Sequence, residues 1–259
     1  MKKEIRVFFT ALMFFTRIPC PKWVDHSEEY LNKSSKYFPL MGWIVGGVSA
    51  IILWLSTYIF PLPISILLSM IASVLITGAF HEDGLADVCD GFGGGWTKEK
   101  ILLIMKDSRV GAFGAIGLIL ALGLKFLCLT YISSNISTII LVIISAHSLS
   151  RFVAVTFLST HEYAREGDDS KSKPLATKLT PSQLIVAAIF GIAPLVVLSI
   201  FLKNYWMLIL FVPVYLTKIL LGRFFKKWIG GYTGDCLGAT QQICEIVFYL
   251  SILALWKFI

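Results

Sequence analysis

Seven apolar runs, each close to the length of a membrane-crossing helix, follow one another along the 259-residue chain. Six are strongly apolar, at 38–60, 62–80, 110–132, 136–158, 182–202 and 204–222; the seventh, 238–258, has a polar start. A helix needs about 20 apolar residues to cross the hydrocarbon, and helices satisfy their own backbone groups there. The composition agrees, with 56 % apolar and only 15 % charged residues. That balance excludes disorder, a collagen-like repeat and a disulfide scaffold. The five cysteines are odd in number and form no C-x-x-C, so a zinc ribbon is not indicated either. The expected fold is all-α: one polytopic membrane bundle over residues 1–259, of about seven transmembrane helices. The first residues, MKKEIRVFFTALMFF, precede Arg17 with no small-x-small cleavage site, and are read as a retained interfacial helix.

Three connections are short, at 61–63, 133–135 and 203–204, and three are long and polar, at 81–109, 159–181 and 223–237. Seven crossings put all the long ones on the same side as residues 1–37. Eighteen of the 23 Lys and Arg residues fall in those four segments, and so do all the acidic residues except Glu245. The positive-inside rule then expects a multi-pass protein of the cell membrane with its active face in the cytoplasm. The net charge of +7 is accounted for by topology and anionic lipid, so no nucleic-acid partner is expected. Small-residue faces such as Gly111, Gly114 and Gly117 permit close helix contact, which leaves homo-oligomers possible.

The chemistry concentrates in three motifs. In HEDGLADVCDG (81–91), Asp83, Asp87 and Asp90 are spaced i, i+4, i+7, which stacks three carboxylates on one helix face. Such like charges call for a cation, and oxygen-only ligands favour Mg²⁺ or Mn²⁺ serving a substrate phosphate. His81 is read as structural, and Gly91–Gly95 as either a phosphate nest or a flexible helix end. Next, Lys106, Asp107, Ser108 and Arg109 stand at the mouth of the third span, where the cations either neutralise a diphosphate or anchor the helix. Arg151, inside the fourth span, calls for an anionic partner unless it snorkels. Lys218 is read as snorkelling, and Lys125 has no evident partner. In the third motif, GGYTGDCLGA (230–239), Asp235 is joined by Gln241 and Glu245, expected to complete a metal or hydroxyl site. The loop 159–181, with His161, Glu162, Arg165, Glu166, Asp168 and Asp169, reads as a solvated lid.

HEDGLADVCDGFGGG, KDSRVGAFG and GGYTGDCLGA, together with FFTRIP (14–19), FPLMGWIVGG (38–47) and Ser150-Arg151-Phe152, resemble the cobalamin synthase family over essentially the whole chain. The resemblance implies a membrane adenosylcobinamide-GDP ribazoletransferase that requires Mg²⁺. Its substrates would be adenosylcobinamide-GDP and α-ribazole or α-ribazole 5′-phosphate, and its products adenosylcobalamin or its 5′-phosphate and GMP. Carried onto this chain, Asp83, Asp87 and Asp90 would hold the metal. Lys106, Asp107, Ser108, Arg109, Arg151 and Gln241 would bind substrate, and Asp235 or Glu245 would take the hydroxyl proton. Two other readings remain at this point: a CDP-alcohol-type phosphotransferase and, less well matched, a cation-coupled transporter.

Overall fold

The structure is a computed structural model that describes residues 2–24, 27–164 and 178–258. Most of the segment read as a lid, including Arg165, Glu166, Asp168 and Asp169, lies outside the described residues. The described chain is helical without strands: α1 (Lys2–Phe15), α2 (Glu28–Ser34), α3 (Phe38–Ser56), α4 (Leu62–Thr77), α5 (Phe80–Gly94), α6 (Lys98–Ile104), α7 (Ala112–Ile132), α8 (Ile136–Val155), α9 (Phe157–Thr160), α10 (Pro181–Phe201), α11 (Phe211–Ile229) and α12 (Gly234–Leu255). Six stretches are long and apolar enough to cross a membrane, and a bent pair, α4 with α5, makes a seventh. Side-chain caps set several of the starts. Asn135 accepts from the Thr138 amide, Thr180 and Gln183 form a capping box, and Thr233 accepts from the Cys236 amide.

The second run departs from expectation. It is a broken element: α4 ends at Gly78, and α5 leaves at 88° to it. Gly78 (φ 65°) and Ala79 (φ 59°) are both left-handed, so the chain turns sharply there. The sixteen residues of α4 are about 24 Å long, short of the ~30 Å hydrocarbon. The segment 81–109, read as a long polar connection with its three aspartates on one helix face, is mostly helix (α5 and α6), and one face of α5 is buried: His81, Glu82, Leu85, Ala86 and Asp90.

Around α8 the bundle is densest; nearly the whole second half of that helix is buried. Gly42 on α3 lets the two helices meet, since a side chain there would come within 2.5 Å of the His147 carbonyl. The N-terminal helix α1 is amphipathic, as expected. Val7, Ala11 and Leu12 are buried, the last two against Met41, while residues 3–6 face outward. Lys36 bridges to Glu4 at 2.7 Å, and the Arg17 amide donates to the Ile76 carbonyl at 2.7 Å, which ties the end of α1 to the α4–α5 bend.

Candidate active site

Helices α5 and α12 cross where both carry glycine. A side chain at Gly84 would lie 2.9 Å from the Asp235 carbonyl, and one at Gly238 would rest on His81 at 3.3 Å. This crossing brings Asp83, exposed on α5, and Asp235, half-exposed in the first turn of α12, to the same cavity of about 250 Å³. Asp87, half-buried, is one turn farther along the face of Asp83. Thr233 steadies Asp235 by donating to its Oδ2 at 3.3 Å.

Phe14 and Phe15, residues between 31 and 38, and residues within 80–84, 155–163 and 232–238 contribute to the cavity wall. The four segments expected on one side therefore do meet at one end of the bundle. Between the ends of α9 and α11, the Ala164 amide donates to the Tyr232 carbonyl (2.8 Å) and the Tyr232 amide to the Glu162 carbonyl (3.0 Å). That bridge packs the Tyr163 and Tyr232 rings edge to face. The Tyr232 phenol is buried, which pushes its pKa up to about 12.

Asp90 is placed differently from Asp83 and Asp87. It is buried, and its two oxygens accept from the amides of Gly111 (2.7 Å) and Gly114 (2.8 Å), the first turn of α7. A Cβ on either glycine would fall 2.4 Å from an Asp90 oxygen, so these glycines admit the carboxylate as well as the helix. An anion at a helix N-terminus is electrostatically favoured, and here it locks α5 to α7. Among the described residues, no three His, Cys, Asp or Glu side chains are gathered to hold a metal ion. The three-aspartate set is thus not preassembled. Asp83 and Asp87 remain as oxygen donors on an accessible face, and Asp83 has no ion-pair partner among the described residues. That donor chemistry fits Mg²⁺, which characteristically takes one or two carboxylates and leaves its other positions to water and substrate phosphate.

Glu245 and Gln241 also depart from expectation. Neither reaches the cavity; both are buried in the bundle. Lys125, which had no evident partner, meets Glu245 at 2.9 Å and donates to Gln242 at 2.8 Å. Gln241 (2.6 Å) and the Tyr249 hydroxyl (3.2 Å) also donate to Glu245. Gln242 donates to Glu82 at 2.9 Å, and Gln241 to Ser150 at 3.1 Å. Arg151 does not snorkel: it is 1 % exposed, donates to the His147 carbonyl (2.9 Å) and ring Nδ1 (3.1 Å), and lies behind Phe38. Since a guanidinium only donates, His147 Nδ1 is the accepting, unprotonated nitrogen. Its 3.5 Å approach to Glu245 is accordingly no ion pair. Sequence reasoning missed Glu82, His147 and Gln242. The signal was present in Lys125 and Glu245, two opposite charges deep in separate spans, which hydrocarbon forces to pair.

Lys106, Ser108 and Arg109 are exposed in the turn from α6 to α7, just before Gly111. Asp107 holds the Arg109 guanidinium, whose proximity keeps the Asp107 carboxyl down at about 2. Through Asp90 this basic turn is fixed to the far end of the acidic helix. Lys218 is not snorkelling either; it is buried and donates to Thr160 at 2.7 Å.

The family model described as cobalamin-5-phosphate synthase matches residues 7–253. The chain belongs to that family. The cobalamin-5-phosphate synthase match takes in α5, α7 and α12 up to residue 253, and hence every candidate side chain named above. Two curated relatives carry the name adenosylcobinamide-GDP ribazoletransferase. One, from Shewanella frigidimarina, is 47 % identical over 97 % of this chain and 95 % of its own. The other, from Leptospira interrogans, is 48 % identical over 99 % of this chain and 98 % of its own. No solved structure matches the chain.

Proposed function

We propose that this membrane protein joins adenosylcobinamide-GDP to α-ribazole, or to α-ribazole 5′-phosphate, and releases GMP, with Mg²⁺ as cofactor. Family membership and the relatives' shared name support the reaction. The observation that carries the residue assignment is the convergence of Asp83 and Asp235, 152 positions apart in sequence, on one cavity at the end of the bundle.

A ribose hydroxyl of the acceptor attacks the phosphorus bonded to the cobinamide side. One O–P bond forms, the bond to the second phosphate breaks, and GMP leaves with the electron pair. Asp235 takes the hydroxyl proton as the bond forms, a role supported by its position on the cavity that Asp83 lines. Asp83 and Asp87 would hold Mg²⁺, which when bound neutralises diphosphate charge. Lys106 and Arg109 supply positive charge beside the departing phosphate, with Arg109 exchanging Asp107 for phosphate oxygens. Asp90 contributes by holding α7, and with it the basic turn, against α5. Arg151, Gln241 and Glu245 are assigned to the bundle interior, not to the reacting groups. The excess of Lys and Arg in the segments at the cavity end supports a cytoplasmic active face.

The decisive experiment is a GMP-release assay on protein in detergent. GMP should appear only when α-ribazole, adenosylcobinamide-GDP and Mg²⁺ are all present. Release independent of α-ribazole would make the protein a hydrolase, and no release would end the proposal. Orientation is checked by thiol labelling in whole cells, where Ser134→Cys should react from outside and Lys98→Cys only after permeabilisation.

A further inference from the structure

We propose that a second cavity, bounded by the end of α9, residues 178–179 and the end of α11, is a phosphate-monoester site in which Lys178 and Lys226 hold the ligand. The inference rests on the ribazoletransferase reading and deepens it.

The cavity measures about 730 Å³, within the roughly 300–1,000 Å³ of pockets that take a whole small ligand. Leu158 and Tyr163 line it and also line the cavity of Asp83 and Asp235, so the two adjoin at the bridge to Tyr232. Its wall is basic. Lys178 and Lys226 are both accessible there, and Lys98 adds charge at the rim, its Nζ 3.6 Å from where a Gly230 side chain would begin. Glu162 is the only acid among the described lining residues.

Behind this wall stands a charge that needs an anion. Lys218 is 2 % exposed and has no acidic partner among the described residues. Its ammonium donates to Thr160, a wall residue, at 2.7 Å and lies 4.8 Å from the centre of the Phe157 ring. A buried cation is costly without a counter-charge, and its field is weakly screened. Lys218 therefore does not touch the ligand, but its charge adds to the field an anion meets in the cavity. Burial and the positive charges of Lys218 and Lys226 also lower the pKa of His161, another wall residue, so these cations meet around one ring.

Chemistry selects the ligand. Lysine holds phosphate as a point charge, and a phosphate monoester carries about −1.5 to −2 near pH 7. Glu162 accepts hydrogen bonds and repels a bare anion, which favours a phosphate carried on a hydroxyl-bearing sugar. The reaction contains two such monoesters, α-ribazole 5′-phosphate and the released GMP. Lys106 and Arg109 are assigned to the departing phosphate, which leaves the acceptor's 5′-phosphate as the expected occupant here. Its ribose then points toward the adjoining cavity, where the hydroxyl reacts.

The test measures KM by GMP release for α-ribazole 5′-phosphate, α-ribazole and adenosylcobinamide-GDP, and the inhibition constant of GMP. It compares wild type with Lys226→Gln, Lys178→Gln and Lys218→Met. KM for α-ribazole 5′-phosphate should rise about tenfold in Lys226→Gln, the scale of one charged hydrogen bond, with KM for α-ribazole and for adenosylcobinamide-GDP within about twofold. Lys178→Gln and Lys218→Met should move the same constant in the same direction. A rise in the GMP inhibition constant alone would keep the monoester site and give it to the released nucleotide. A rise of similar size for α-ribazole or for adenosylcobinamide-GDP would show that the lysines do not read this phosphate, and unchanged constants would leave the cavity without one; either overturns the proposal. Should Lys218→Met not fold, the two exposed lysines decide alone. If wild type releases no GMP, the reaction assignment fails by itself. Equilibrium dialysis of α-ribazole 5′-phosphate and of GMP against wild type and Lys226→Gln then judges the site: weaker binding of either ligand to the variant supports it, and equal binding of both overturns it.

Discussion

Two acidic regions lie within a few helical turns of each other on α12 and have opposite fates. At its start, Asp235 lines the same cavity as Asp83. Farther in, Glu245 is enclosed by Lys125, Gln241 and Tyr249, and the cavity beside it, about 20 Å³, has room for about one water. The residue types are similar, but the surroundings decide the use. A carboxylate whose lone pairs are already engaged by a buried cation and two donors is a structural anchor. One at an accessible mouth keeps its capacity for metal and protons. In this fold the acids proposed for the chemistry are accessible, while Glu245 and Asp90 are buried and already hold partners.

This contrast can be broken most directly at the mouth. Asp83→Asn and Asp235→Asn should each lower the rate of GMP release by about 10²–10³ or more, with the melting temperature in detergent nearly unchanged. Substantial activity in either variant would remove that residue from the chemistry. In the interior the expectation is reversed. Glu245→Gln leaves the Lys125 ammonium buried without its counter-charge and should cost about 3–5 kcal/mol, read as a large fall in melting temperature. The double variant Lys125→Met/Glu245→Met should melt closer to wild type than either single change, and it should retain GMP release. If the double variant is stable and inactive, the interior pair belongs to the active site after all.

Asp90 sharpens the comparison from within one motif. Asp90→Ala removes two charged hydrogen bonds to the start of α7 and should cost about 1–3 kcal/mol. Gly114→Ala, which drives a methyl toward Asp90 Oδ2, should destabilise in the same direction. Loss of Mg²⁺-dependent activity in Asp90→Ala without any thermal destabilisation would return Asp90 to the metal. The smallest effect is expected at Asp107. The adjacent Arg109 holds its folded pKa down, so the pair is ionised above the ordinary carboxylate range and is lost only as pH falls toward about 2. Arg109→Gln should raise the Asp107 titration, followed by carboxyl NMR, with little change in melting because both groups are exposed. An unshifted titration would show that the pair does not form.

Much of the architecture was legible in the residue order. Apolar runs of membrane length have one economical solution, and the spacing of their polar connections sorts those to one end, where the cavity walls indeed meet. The break at Gly78 was harder to see, because residues 62–80 look as apolar as any crossing. What bends the chain is the demand of α5 to bury His81, Glu82 and Asp90 against its neighbours, and that demand comes from partners distant in sequence. The same limit explains the site. The i, i+4, i+7 spacing correctly put Asp83, Asp87 and Asp90 on one helix, but periodicity places side chains only relative to their own axis. Which of them meets solvent and which meets the amides of α7 depends on where another helix begins.

The order of residues by itself determined that this chain must be a helical bundle in a lipid phase, with acidic and basic motifs near one boundary. Hydrophobic length and charge placement are local properties that need no partner to be read. Only the tertiary structure decided that Asp235 joins Asp83 while Glu245 joins Lys125. Coulombic pairing and hydrogen bonding act over a few ångströms, and helix crossings alone bring such distant positions that close.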